Sequence, residues 1–219
     1  MNKIDGLKFL QKYFPEICVD CVFVGPNEDL NIDLLKSHVG IFRVRAGCKY
    51  GSELNLPRRT CYSISEVKQF IEQTRLQYNR IEFVIHRVTE DYFALIYETS
   101  IALFESPLPE MIIQIQGASQ SLVAQMDVGV KARDWPVLAI YRFPYLGMLP
   151  DVTIFDHMFQ RESFKTELYF LWNAGRKIDA IKQGLGMCYE TVTLFNVYPG
   201  GKFIVDDHRS LDSFAPPTA

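Results

Sequence analysis

The sequence predicts an α+β fold: a mostly antiparallel sheet with flanking helices. Two observations carry this. Six short apolar strand candidates follow one another between residues 81 and 143, and only turn residues separate them. Connections that short favour antiparallel neighbours. The predicted helices lie outside that run, so the middle of the chain lacks the crossover helices of a doubly wound sheet.

Each element has its own warrant. Ile4, Leu7, Phe9, Leu10 and Phe14 form a broad apolar face, and Pro15 ends the helix they predict over 3–13. Cys18–Val24 is rich in strand formers and stops at Gly25-Pro26. A short helix is expected over 32–37. Ile41-Phe42-Arg43-Val44-Arg45 alternates apolar and basic residues, as a half-buried strand does. Residues 46–61 read as a long loop, a feature compact domains often keep for function. Ser63-x-x-Glu66 fits a capping box that opens a helix to about Gln77.

The strand candidates of the middle are 81–88, 93–97, 101–104, 111–116, 121–126 and 137–141. Residues 154–183 are expected to be mostly helical, with Asn173-Ala174-Gly175 a candidate break. A hairpin of 191–198 and 202–206, turning at Pro199-Gly200-Gly201, precedes a tail at 215–219 that is expected to be disordered. The predicted organisation is an N-terminal subdomain over 1–80 and a β-rich subdomain over 81–214.

Composition narrows the function. With 48% hydrophobic residues, 22% charged residues and a net charge of −3, the 219-residue chain is neither disordered nor broadly basic. No nucleic-acid partner is expected. No run of 18 apolar residues occurs, so no membrane span is expected. The start lacks the apolar centre of a signal peptide. Five cysteines are an odd count, and the simplest expectation is reduced thiols in the cytoplasm.

Chemistry-bearing motifs are sparse. Cys18-x-x-Cys21 has no second pair to complete a zinc site, and it lies in a strand-like run rather than at a helix start. Two small apolar strand residues are the simpler reading. The histidines at 38, 86, 157 and 208 make no HExxH, and P-loop, dinucleotide and GxSxG signatures are missing. Gly47-Cys48-Lys49-Tyr50-Gly51-Ser52 follows the strand of Arg43 and Arg45. Its amides and cations suit phosphate oxygens, but an ordinary solvated turn is the simpler reading. Asp206 ends an apolar strand. It is either a Mg²⁺ ligand completed by substrate phosphates or a solvated strand end.

The order of these segments resembles the ATP-binding, ATP-grasp-like domain of the pyruvate phosphate dikinase and phosphoenolpyruvate synthase family over about residues 1–210. The likeness begins with Lys3 in the first helix. It continues through Val44-Arg45-Ala46-Gly47, where the family has Arg-Ser-Ser, and through Phe83–Val88 as the strand at the adenine hinge. Ile112–Val123 resembles the strand, glycine turn and strand that carry family glutamates. The last hairpin with Arg209 resembles the final strand pair. The resemblance implies an ATP-grasp fold that binds ATP with Mg²⁺, with Lys3, Arg45, Lys49, Gln114 and Arg209 toward the nucleotide and Asp206 toward the metal.

The chain departs from the family at several acidic places. Gln114, Gln120 and Thr193 are neutral there, which weakens Mg²⁺ binding. A phosphotransferase or ligase with a reduced metal site is the leading expectation. The alternative is a non-catalytic scaffold, with a protein partner met by aromatics such as Trp135, Tyr141, Phe143 and Tyr145. A hydrolase or transferase built on His157 with Asp156, or on Asp206 with His208, is a third reading that no spacing demands.

Overall fold

The computed structural model describes residues 1–36, 40–48, 56–88, 97–104, 110–117, 136–144, 147–198 and 202–210; of Val88, Tyr97, Glu98, Ser100 and Asp206 it describes the backbone alone. The expected strand 121–126, most of the expected strand 93–97, Lys49, Trp135, Tyr145, the turn 199–201 and the tail 215–219 lie outside the described residues.

The chain forms two compact units, Met1–Tyr92 with His208–Ala219, and Phe93–Asp207. In the first, helix α1 spans Lys3–Tyr13, strand β1 Cys21–Val24, helix α2 Ile32–Lys36, strand β2 Ile41–Cys48, strand β3 Arg58–Cys61, helix α3 Ile64–Gln77 and strand β4 Ile81–Val88. The four strands form one sheet in the order β1-β4-β2-β3, and each neighbouring pair is antiparallel. A division after residue 80 would part β4 from this sheet, whereas hydrogen bonding ties it to β1 and β2.

Local chemistry sets the helix starts. The Asn2 side chain accepts from the Asp5 N–H at 2.8 Å. Ser63 Oγ accepts from the Glu66 N–H at 3.2 Å, and the Glu66 carboxylate accepts from the Tyr62 N–H at 2.9 Å. The capping box therefore closes one residue earlier than the usual reciprocal bond. α3 buries Val67, Phe70 and Ile71 against Val24, Phe42, Val44, Phe83 and Ile85. Each such side chain contributes about 1.5–3 kcal/mol by leaving water. Arg75 holds the turn after β1 to this helix, donating to the Gly25 and Glu28 carbonyls at 2.7 and 2.6 Å.

The second unit holds strands β5 (Tyr97–Phe104), β6 (Glu110–Gly117), β7 (Val137–Phe143) and β8 (Asp151–Ile154). Helix α4 (Lys165–Gly184), strand β9 (Thr191–Tyr198) and most of strand β10 (Lys202–Ser210) complete it. The sheet order is β10-β9-β5-β6-β7-β8. The β5–β8 meander is antiparallel throughout, and β9 pairs antiparallel with the other edge of β5.

Three expectations change. The helix expected from residue 154 starts only at Lys165, and Ile154 instead ends strand β8, which pairs with β7. α4 runs unbroken through Asn173-Ala174-Gly175. Gly175 is there for close approach: a Cβ on it would lie 2.3 Å from Met111 Sδ and 3.2 Å from an Ile101 methyl. Lastly, the predicted loop 46–61 yields the end of β2 and all of β3, because Phe42–Arg45 pair with Arg58–Cys61.

Candidate functional site

The site is built from alternation on β2. Phe42 and Val44 point into the α3 core, so Arg43 and Arg45 stand on the opposite face. Register sets Arg43 opposite His86 and Arg45 opposite Val84 on β4, and Cys21 of β1 opposite His86 from the other side. α1 covers this face, packing Ile4 and Leu7 on Cys21 and Val84. Cys18 packs at the edge of the same cluster, and neither cysteine forms a disulfide. The CxxC pair is therefore part of the packing under α1.

The start of α1 is pinned beside the end of β2. Asn2 Nδ2 donates to the Cys48 carbonyl at 3.0 Å while its oxygen caps the helix. Lys3 follows, only 8% exposed. The end of β10 lies along the same turn. The Ser210 N–H donates to the Met1 carbonyl at 3.0 Å, and the His208 ring stacks on Phe9 at 5.2 Å between centroids. A Cβ on Gly6 would fall 1.4 Å from the His208 carbonyl oxygen, so only glycine allows this approach. Arg209, between His208 and Ser210, is thereby held beside the N-terminal turn of α1.

His86 reports the field on this face. Its ring is 6% exposed, and its Nδ1 is buried with no hydrogen-bond partner among the described residues. Burial holds its pKa well below the ordinary histidine value, and the charges of Arg45, Lys3 and Arg43 push it further down. The imidazole is neutral near pH 7, beneath three cations. A helix start, a buried imidazole and converging positive charge suit a polyphosphate.

The structure thus puts the charges of Lys3 and Arg45 within reach of one imidazole, with the backbone of Arg209 beside the start of α1. It adds Arg43 and His86, which motif reading did not single out as ligands. The alternation of 41–45 displayed Arg43. Nothing in Phe83-Val84-Ile85-His86 signals that His86 faces those arginines, because the register between β2 and β4 decides it. Gln114 lies on β6 of the second unit, opposite Ser100 and Ile140. Thr193 lies opposite Ile101 and is fully buried on the face that α4 covers, one residue out of step with Gln114. Gln114 and Thr193 therefore occupy opposite faces of that sheet. Asp206 is on β10, its side chain outside the described residues. Among the described residues no group of three or more His, Cys, Asp or Glu is gathered as a metal site, and no helix is long and apolar enough to cross a membrane.

No protein-family model matches the chain, and no curated protein sequence matches it. Solved structures do. D-alanyl-alanine synthetase A from Vibrio cholerae O1 biovar eltor str. N16961 aligns with a TM-score of 0.53 at 12% identity, over 96% of this chain and 55% of that one. The ADP complex of purK, N5-carboxyaminoimidazole ribonucleotide synthetase, aligns at 0.51 with 7% identity, over 93% and 44%. The chain has an ATP-grasp fold. D-alanine-D-alanine ligase from Coxiella burnetii shares that fold at 0.50 and 12% identity, over 97% of this chain and 48% of the ligase. This ATP-grasp chain thus spans about half the length of the structures it matches.

Proposed function

We propose that the chain binds ATP with Mg²⁺ as an ATP-grasp-like nucleotide-binding protein of the phosphotransferase or ligase type. The observation that carries the reading is the convergence of Lys3, Arg43 and Arg45 on one face of the first unit, beside the capped start of α1. Their charges neutralise phosphate oxygens, and Arg adds bidentate hydrogen bonding. The dikinase and synthase resemblance also assigns Lys49, Gln114 and Arg209 to the nucleotide and Asp206 to Mg²⁺. One carboxylate suffices for a magnesium ion when nucleotide phosphates and water fill most of its coordination. When bound, the metal would neutralise charge on the phosphates. The chain's own cations orient the phosphates and stabilise charge that develops on them.

The structures matched at TM-scores of 0.53 and 0.51 are a synthetase and the ADP complex of another, and this supports the nucleotide reading. The dikinase and synthase resemblance agrees with it, since it would put Lys3 and Arg45 on the phosphate side. The neutral Gln114 and Thr193 favour a second reading, in which the chain binds nucleotide without turnover as a scaffold for a protein partner. Calorimetric titration of Mg-ATP into the full chain tests the lead. Binding is expected, and Arg45→Gln should weaken it about tenfold, the loss of roughly one charge-assisted hydrogen bond. Folded protein that binds no ATP at millimolar concentration would sink the reading. ATP binding with no ADP release over hours selects the scaffold.

A further inference from the structure

We propose that His86 takes up a proton when polyphosphate settles on Lys3, Arg43 and Arg45, so that nucleotide binding to this face is proton-linked. The inference rests on the nucleotide reading above and concerns the regulation of that same site. Geometry carries it. Register places His86 directly across from Arg43 on β2 and from Cys21 on β1. Arg45 stands on the same face two residues along β2, and the charge of Lys3, on the α1 that covers this face, acts on the ring. The charged and titratable groups facing the ring are thus Arg43 and Arg45 from β2, Lys3 from α1 and the buried Cys21 thiol from β1.

The ring is 6% exposed, and Nδ1 has no hydrogen-bond partner among the described residues. A nitrogen in that position accepts a proton without breaking an existing bond at that atom. In the free protein, burial and the three cations oppose protonation. An anion on the same cations cancels their field at the ring and leaves burial alone to oppose it. The protonated imidazole then attracts the anion in return. By linkage the effect is reciprocal: if the anion favours protonation, protonation favours the anion by the same factor. Contact between ring and phosphate is not needed, since the coupling runs through the charges they share. Affinity is therefore expected to rise as pH falls, over the interval between the titration of His86 in the free protein and its titration in the bound one.

The experiment follows the histidine ring resonances of the full chain by NMR across pH, with and without saturating Mg-ATP, and His86→Gln assigns the resonance that belongs to His86. The His86 midpoint is expected to move to higher pH on binding. The Mg-ATP Kd of the wild type should fall more steeply with decreasing pH than that of His86→Gln, which removes ATP's own protonation from the comparison. A second variant needs no ligand: Arg45→Gln removes one of the facing cations and should raise the His86 midpoint in the free protein. Mg-ATP binding with no movement of any ring titration, or an unmoved midpoint in Arg45→Gln, overturns proton linkage and leaves the nucleotide reading standing. Folded protein that fails to bind Mg-ATP overturns both.

Discussion

The two faces of the four-stranded sheet are made by the same strands, one residue out of step, and they do different work. On the α3 face, Phe42, Val44, Phe83 and Ile85 meet Val67, Phe70 and Ile71 in an apolar layer. On the α1 face, Val84 and Cys21 pack under Ile4 and Leu7, while Arg43, Arg45 and His86 occupy the adjoining positions. The first face stabilises the fold. The second spends part of its area on like charges around a neutral imidazole, an arrangement that favours an anion more than it favours folding. On the proposed function, folding and binding are separated across a single layer of backbone.

That contrast can be broken from either side, and the largest effect is expected on the α3 face. Phe83 is fully buried, meets Phe70 edge-on at 6.4 Å, and lies under the Arg75 guanidinium at 5.7 Å. Phe83→Ala should cost about 3–5 kcal/mol in urea unfolding, through lost transfer energy and the cavity left behind. Gly6→Ala comes next. Its Cβ would strike the His208 carbonyl, so α1 or the end of β10 must shift, at about 1–3 kcal/mol of overpacking. Because α1 carries Lys3, ATP affinity should fall along with stability. On the α1 face the expected order reverses. Arg45→Gln should leave the unfolding free energy within about 1 kcal/mol of the wild type, since it also relieves repulsion from Arg43 and Lys3, while weakening ATP binding about tenfold. Loss of stability as large as that of Phe83→Ala would show that both faces serve the fold.

The smallest effect is a pH dependence. His86 is held neutral below the ordinary histidine value in the folded chain, so the unfolded chain binds more protons between the two pKa values. The stability His86 contributes in its neutral form is fully present above about pH 6.5 and falls as the solution is acidified below that value, by at most about 1.4 kcal/mol per pH unit. Urea unfolding at a series of pH values should show this slope in the wild type and a shallower one in His86→Gln.

Much of the local structure was legible in the residues. Asn2 and Ser63 cap the helices that the apolar spacing predicts, and strands β4, β6 and β7 fall where short apolar runs end at turn residues. The misreadings share a cause. Asn173-Ala174-Gly175 looks like a helix break because glycine weakens an isolated helix, but Met111 and Ile101 leave room for no larger residue there. Residues 151–154 and 58–61 carry weak strand signals by themselves, and they become strands because β7 and β2 offer an edge to pair with. In each case a long-range partner outweighs local propensity.

The same division runs through the site. Period and capping determined by themselves that Lys3 opens a helix and that Arg43 and Arg45 share one side of a strand. Only the tertiary structure decided that His86, more than 40 positions along the chain, lies across from Arg43, that Lys3 comes down on the same face, and that Thr193 turns under α4. The reason is physical. Alternation along one strand is a property of its own backbone, whereas register between strands is set by how two apolar faces fit the same core.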